Sequence, residues 1–122
     1  MTLSANEELS SINLDKVVMK VIKTADNGVV NEKTFFHFSQ NGNTVSAEYM
    51  GGKIKLGFLV GRFLSENQLS FSYCQMQLDG KLDNGISVCE VTSDQEGKIT
   101  LLEHFEWQSR PGEFGTNIFQ EI

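Results

Sequence analysis

The stretch EYMGGKIKLGFLVGRF, residues 48–63, holds four of the chain's eleven glycines within sixteen residues. A phosphate-binding loop needs Gly-x-x-x-x-Gly-Lys-Ser/Thr and then a helix. Gly52 and Gly57 have the glycine spacing, but an aromatic and an aliphatic residue stand where Lys and Ser/Thr belong. The residues that follow alternate with period two, and glycine inside a strand commonly marks a bulge or a sharp bend. The stretch therefore predicts a curved β-strand rather than a nucleotide-binding loop.

Alternation assigns the side chains of this strand to two faces. The inward face is predicted to carry Ile54, Leu56, Phe58, Val60 and Arg62. The outward face is predicted to carry Gly57, Leu59, Gly61 and Phe63.

Turn signals recur along the whole chain, among them DNG at 26–28, NGN at 41–43 and SDQEGK at 93–98. Strand-length segments with period-two patterning lie between them. The predicted strands are 16–24, 33–40, 44–50, 53–64, 69–77, 85–92, 98–108 and 116–121. A meander of about eight strands removes its exposed edges by closing into a barrel. The fold class is therefore all-β, a single up-and-down antiparallel barrel.

The domain division places residues 13–122 in the barrel and residues 1–12 in an N-terminal extension or a short helical plug. Ser4 and Glu7 have the spacing of a capping box. The N-terminus has neither the basic start nor the apolar stretch of a secretory signal, so a cytoplasmic location is predicted.

The charge composition limits the classes of partner that we expect. Sixteen acidic and ten basic residues give a net charge of −6, and the basic residues do not cluster, so neither nucleic acid nor an anionic membrane is an expected partner. His37 and His104 are predicted to be exposed, and no metal, cofactor or catalytic residue is predicted. Cys74 and Cys89 could lie opposite each other on neighbouring strands, facing outward. A disulfide between them is conceivable, but a cytoplasmic setting favours two thiols.

The interior is the candidate binding site. Its predicted ligand-binding residues are Tyr49, Arg62, Tyr73, Gln75, Glu103 and Trp107. A buried carboxylate needs a partner, and one possibility is an ion pair between Glu103 and Arg62. In a catalytic alternative, Glu90 faces the same side as Glu103 and the two carboxyl groups supply an acid and a base.

Several motifs carry a family resemblance. They are the Thr34-x-Phe36-x-Phe38-x-Gln40 strand, Ala47-Glu48-Tyr49 with Gly51-Gly52, and Leu102-Glu103 with Trp107. In these motifs the chain resembles a family of small bacterial β-barrel proteins of uncharacterised function. The resemblance covers roughly residues 13–122 and implies a calycin-like, lipocalin-like fold.

Some members of that family carry the label N-acetylglutamate synthase. The usual acetyltransferases hold the pyrophosphate of acetyl-CoA on a glycine-rich loop that opens a helix. The nearest segment here, RPGEFG at 110–115, has Glu113 where the first glycine belongs and then continues as a predicted strand.

Three hypotheses about function follow from these observations. The favoured one is a barrel that binds a small amphipathic ligand. The second is a structural or protein-interaction module with a filled interior. An outer patch of Leu59, Phe63 and Leu102 would then meet a partner protein or form a homodimer, and a monomer or a homodimer is expected. The least favoured is an enzyme, either the acyltransferase of the label or a carboxylate-dependent hydrolase.

Overall fold

The computed structural model describes residues 11–122, which form eight β-strands and no helix. The strands are β1 (Val18–Lys23), β2 (Phe35–Asn41), β3 (Thr44–Gly51), β4 (Ile54–Phe63), β5 (Gln68–Gln77), β6 (Leu82–Ser93), β7 (Ile99–Trp107) and β8 (Phe114–Glu121). Each corresponds to one predicted strand. None of the described residues forms a helix long and apolar enough to cross a membrane.

The strands form one closed antiparallel barrel in which each pairs with the next and β8 returns to β1. The closing pair places Met19 opposite Glu121 and Val21 opposite Phe119. The predicted up-and-down barrel is therefore confirmed. Closure gives every strand two neighbours, which removes the unpaired backbone groups of a sheet edge.

The connections alternate between the two ends of the barrel. Residues 24–34, 52–53, 78–81 and 108–113 connect strands at one end, called here the β1–β2 end. The connections at 42–43, 64–67 and 94–98 lie at the other, called here the β2–β3 end. The β1–β2 connection is long enough to fold over the interior.

The facing of β4 differs from the prediction. Opposite β5, the register shifts between Ile54 and Leu56, which marks a β-bulge. One extra residue reverses the alternation after it, so Leu59 and Phe63 are buried while Phe58 is exposed. The predicted facing is wrong from the bulge onward: Val60 and Arg62 also point outward, and the predicted outer patch is lost.

The glycines of β4 pack inside the barrel rather than outside it. Gly57 lies opposite Tyr49, where a Cβ atom would overlap the tyrosine ring. In the β3–β4 turn, Gly51 and Gly52 have φ values of 114° and 64°, which glycine adopts at little cost. The glycine-rich stretch thus forms a bend, as predicted, and also makes room for an aromatic side chain.

The two cysteines do not face each other. Cys74 pairs with Asn84 and is exposed, whereas Cys89 pairs with Leu69 and is buried. The β5–β6 hairpin is centred at Asp79, between two and three residues before the centre that would place the two cysteines opposite each other. The predicted opposition of the cysteines is wrong, and Cys89 points inward rather than outward. Both cysteines are free thiols.

The predicted extension lies almost entirely outside the described residues, which begin at Ser11. Ile12 is partly buried and packs against the core. Leu14 is fully buried there.

Candidate ligand-binding site

A cavity of about 30 Å³ lies inside the barrel toward the β1–β2 end. Its lining combines aromatic and aliphatic side chains with a small group of polar ones. The lining residues are Gly28, Val29, Val30, Phe36, Tyr49, Leu59, Phe71, Tyr73, Gln75, Glu103, Phe105, Trp107, Asn117 and Phe119. This is room for about one water molecule.

Five of the six predicted site residues line this cavity, while Arg62 is exposed on the outer face. The five are Tyr49, Tyr73, Gln75, Glu103 and Trp107. Their inward position is as predicted, and a role in binding stays a prediction.

Two tyrosines and a glutamine form the first polar group of the cavity. Tyr49 donates its hydroxyl hydrogen to Gln75 Oε1 over 2.8 Å. Among the residues that the structure describes, Tyr73 Oη and Gln75 Nε2 have no hydrogen-bond partner although both atoms are buried. Burial, with the charge of Glu103 adding to it, raises the pKa of both tyrosine hydroxyls. Both hydroxyls therefore keep their protons, and Tyr73 has one to donate.

Glu103 forms the second polar group. Its carboxyl group accepts hydrogen bonds from Ser87 Oγ at 2.6 Å and from Asn117 Nδ2 at 2.8 Å. Burial raises the pKa of Glu103, and these two hydrogen bonds oppose that rise. The predicted ion pair with Arg62 is wrong, because two neutral side chains satisfy the carboxyl group instead. The catalytic pair is wrong as well, because Glu90 points outward on β6.

The β1–β2 connection is fastened over the cavity. Thr24 donates its hydroxyl hydrogen to Asn117 Oδ1 at 2.7 Å, and Trp107 Nε1 donates to the backbone oxygen of Asn27 at 3.2 Å. Val29 and Val30 are buried and line the cavity from this connection. Because Asn117 also contacts the buried carboxyl group, the connection and the polar site share one hydrogen-bond network.

A charged cluster packs against the indole ring of Trp107. The Arg110 guanidinium lies 4.5 Å from the centre of the indole ring and forms an ion pair with Asp83 at 2.7 Å. Burial alone would raise the pKa of Asp83, but hydrogen bonds from Arg110 and Ser109 lower it. The cluster anchors the β7–β8 turn against β6 and fixes one wall of the cavity.

The aromatic walls pack against one another. Phe36 stacks on Tyr49 with ring centres 4.4 Å apart and lies 4.6 Å from Phe119. Tyr73 meets Trp107 edge to face at 5.6 Å. The rings that surround the polar atoms of the site therefore form one packed cluster.

Sequence reasoning missed Ser87, Asn117 and the β1–β2 connection. In β6 Ser87 shares its face with buried Cys89. The catalytic alternative, with Glu90 inward, puts Ser87 on the outer face. Nothing in the sequence pairs either polar side chain with Glu103. Within residues 11–122, no three His, Cys, Asp or Glu side chains converge as metal ligands would.

One comparison with known proteins agrees with this architecture. A family model described as avidin-like protein matches residues 12–122, and the chain belongs to that family. Neither the curated proteins nor the solved structures contained a match.

Proposed function

We propose that this protein binds a small, uncharged molecule inside the barrel, toward the β1–β2 end. The observation that carries the proposal is the pair of unpartnered buried polar atoms, Tyr73 Oη and Gln75 Nε2. A buried donor without a partner costs roughly 1–3 kcal/mol. A ligand that supplies the missing acceptor would recover that cost. Membership of the avidin-like family supports the same class of function.

The hydrogen-bonding groups that line the cavity indicate which chemical groups the ligand should carry. Tyr73 and Gln75 are two positions apart on β5 and both face the cavity, so both offer donors to an acceptor such as a carbonyl oxygen. Glu103 has lone pairs beyond the two hydrogen bonds it accepts, and these suit an N–H group. The aromatic walls suit an apolar body. An anionic ligand is disfavoured, because Glu103 is the ionisable acid of the site.

The cavity volume sets a condition on this proposal. About 30 Å³ admits only a group of a few atoms, whereas ligand pockets usually measure roughly 300–1,000 Å³. A larger ligand must displace the segment 28–30, which lines the cavity. Hydrogen bonds from Thr24 and Trp107 hold that connection, and binding must compensate for any that break.

The same volume favours the filled-interior alternative. An interior that is nearly solid suits a structural or interaction module. That alternative does not explain why two polar atoms are buried beside the cavity without partners. The acyltransferase label of resembling proteins stays a separate prediction, which a titration with acetyl-CoA followed by calorimetry would test.

The deciding experiment is native mass spectrometry of the protein purified gently from its own cells. We expect a stoichiometric small-molecule adduct that is lost on denaturation. In the Tyr73→Phe variant the adduct should bind about tenfold more weakly, because one hydrogen bond contributes about 1 kcal/mol or slightly more. Ser46→Ala removes an exposed hydroxyl from β3 and serves as the matched control.

A mass equal to that of the bare chain, together with no thermal stabilisation by a panel of neutral amides and ureas, would select the filled-interior module. An adduct that binds equally well to Tyr73→Phe would place the ligand elsewhere on the protein.

A further inference from the structure

Exposed apolar side chains gather around the β1–β2 end of the barrel. A single exposed apolar side chain is ordinary on a protein surface, so the informative feature is where these side chains lie. Phe114 is 75% exposed, Leu82 71% and Leu78 68%, and all three lie in or beside the connections of this end. The whole set, called here the mouth rim, is Ile22, Phe35, Met50, Leu78, Leu82 and Phe114.

The β2–β3 end carries no comparable set. Within residues 11–122, the large exposed apolar side chains at that end are those of Leu64 and Ile122. The remaining residues of its connections, at 42–43, 65–67 and 94–98, are polar residues or glycine. The two ends of the barrel therefore present different surfaces to the surroundings.

The connections that carry the mouth rim contact one another. The backbone amide of Leu78 donates to the backbone oxygen of Lys53 at 3.0 Å, which joins the β5–β6 turn to the β3–β4 turn. Asn27 Nδ2 donates to the backbone oxygen of Phe114 at 3.2 Å, which joins the β1–β2 connection to the start of β8. Because these connections cover the same end of a closed barrel, a flat surface laid across that end meets the mouth rim as a unit.

Basic side chains are interspersed with the mouth rim. Five of the chain's ten basic residues are exposed lysines in or beside the connections of this end. They are Lys23, Lys33, Lys53, Lys55 and Lys81. The exposed carboxylates of the same connections are those of Asp26, Glu32, Asp79 and Glu113.

The charge of the chain is therefore polarised along the barrel. At the β1–β2 end the exposed lysines and carboxylates nearly balance, and Arg110 is paired with Asp83. The chain as a whole carries a net charge of −6, so its acidic excess lies elsewhere. Asp94 and Glu96 contribute to that excess from the β6–β7 connection, at the opposite end.

These features fit a lipid surface better than a protein partner. Charged and polar residues separate the members of the mouth rim, whereas the core of a protein interface is depleted of charge. A lipid interface accepts each apolar side chain separately, and lysine side chains reach the headgroups while their methylene stems stay in the apolar layer. Anionic headgroups attract the lysines of this end and repel the acidic remainder of the chain, which orients the barrel.

We propose that the protein docks by its β1–β2 end on a lipid surface that carries anionic headgroups. The mouth rim enters the interfacial layer, and the five lysines contact the headgroups. The net charge of −6 opposes such docking only when it is spread evenly over the surface. The docking is independent of the ligand site proposed above, so the protein without ligand docks as well.

Vesicle flotation tests the docking. The full-length protein is mixed with vesicles of phosphatidylcholine alone, or of phosphatidylcholine with phosphatidylglycerol, and the fraction that floats is measured. We expect roughly tenfold stronger binding to the mixed vesicles, since each lysine near an anionic surface adds to the attraction. Added salt should reduce this preference, because it screens the exposed charges.

Leu78→Ser and Leu64→Ser make the same change at opposite ends of the barrel. Both side chains are exposed, so both variants should melt at the temperature of the wild type. Leu78→Ser should weaken binding to the mixed vesicles roughly tenfold, because an apolar side chain leaves the lipid interface. Leu64→Ser should bind as the wild type does.

The lysines have a matched pair of variants as well. Lys81→Glu reverses an exposed charge beside the mouth rim and should reduce the preference for mixed vesicles. Lys98→Glu reverses an exposed charge at the β2–β3 end and should leave that preference unchanged.

A fluorescent label reports the orientation on the vesicle. In a Cys74→Ser background, Leu82→Cys and Leu64→Cys each provide one exposed thiol, since Cys89 is buried. A polarity-sensitive fluorophore at position 82 should shift its emission to the blue when mixed vesicles are added. The same fluorophore at position 64 should not shift.

Three results would overturn the proposal. The first is the absence of flotation with both kinds of vesicle, which would leave the mouth rim to a protein partner. The second is equal binding to both kinds of vesicle, which would contradict the role of the lysines. The third is flotation that Leu78→Ser and Leu64→Ser affect alike, which would place the lipid contact on another surface.

Discussion

The two ends of the barrel interior contrast sharply. Toward the β2–β3 end the inward side chains are apolar and completely buried, as Val45, Leu69 and Leu101 are. Toward the β1–β2 end the same strands carry Gln75 and Glu103 beside a cavity. Both ends use the same inward positions, so the difference lies only in the side chains. Apolar packing at the β2–β3 end stabilises the fold, whereas the polar groups toward the β1–β2 end are not needed for a packed core.

The largest effect should come from the packed end. Leu101→Ala should lower the free energy of unfolding by about 3 kcal/mol, because it leaves a void among fully buried neighbours. Val29→Ala, in the connection over the cavity, should cost only about 1 kcal/mol. Urea unfolding of both variants makes the measurement. Equal losses would remove the contrast between the two ends.

The second-largest loss of stability should come from breaking the ion pair between Asp83 and Arg110, which supports Trp107. Asp83→Ala should cost about 2–3 kcal/mol, since it leaves Arg110 without its partner and releases the β7–β8 turn. Glu66→Ala, which removes an exposed carboxylate from the β4–β5 connection, is the matched control. Thermal unfolding would show the difference, and similar melting temperatures for the two variants would contradict a structural role for the ion pair.

The two tyrosines offer the same chemical change in two settings. Tyr49→Phe removes a hydroxyl that donates to Gln75 and should cost about 1 kcal/mol. Tyr73→Phe removes a hydroxyl without a partner, so stability in the absence of ligand should stay equal or rise slightly. Parallel urea titrations compare them. A larger loss for Tyr73→Phe would mean that its hydroxyl is satisfied within the protein.

The smallest effect should be a dependence of folding stability on pH, caused by Glu103. Burial raises the pKa of Glu103 above 4.5, so the folded chain binds this proton more tightly than the unfolded chain. The stabilisation is complete below pH 4.5 and is lost as the pH rises through the folded pKa.

Glu103→Gln mimics the protonated acid and should remove this dependence. The stability of the wild type should fall relative to the variant as the pH rises from 4.5. Chemical unfolding at a series of pH values measures the difference. A constant gap across that range would show that the carboxyl group titrates alike in both states.

The inventory of strands could be predicted from local signals. Period-two patterning and turn residues recovered all eight strands. Closure was predicted because an open sheet would leave two edge strands unpaired. The face of β4 could not be predicted in the same way, because the bulge near Ile54 and Leu56 inserts one residue and reverses everything after it. That single shift moved Arg62 out of the predicted site and brought Phe63 into the core.

The site was recovered in part. Alternation placed Tyr73, Gln75 and Glu103 inside, since each lies on a regular stretch of strand. Their hydrogen-bond partners were not recoverable, because Asn117 reaches Glu103 through the register between β7 and β8.

Local sequence signals were sufficient to predict eight short strands, their turns and a closed all-β barrel, since these depend on neighbours along the chain. The packing of the strands was needed to show which face of β4 is buried, that Cys74 and Cys89 lie apart, and that Glu103 has neutral hydrogen-bond partners. The physical reason is that register between strands depends on bulges and turn lengths. A shift of one residue there moves every later side chain to the other face.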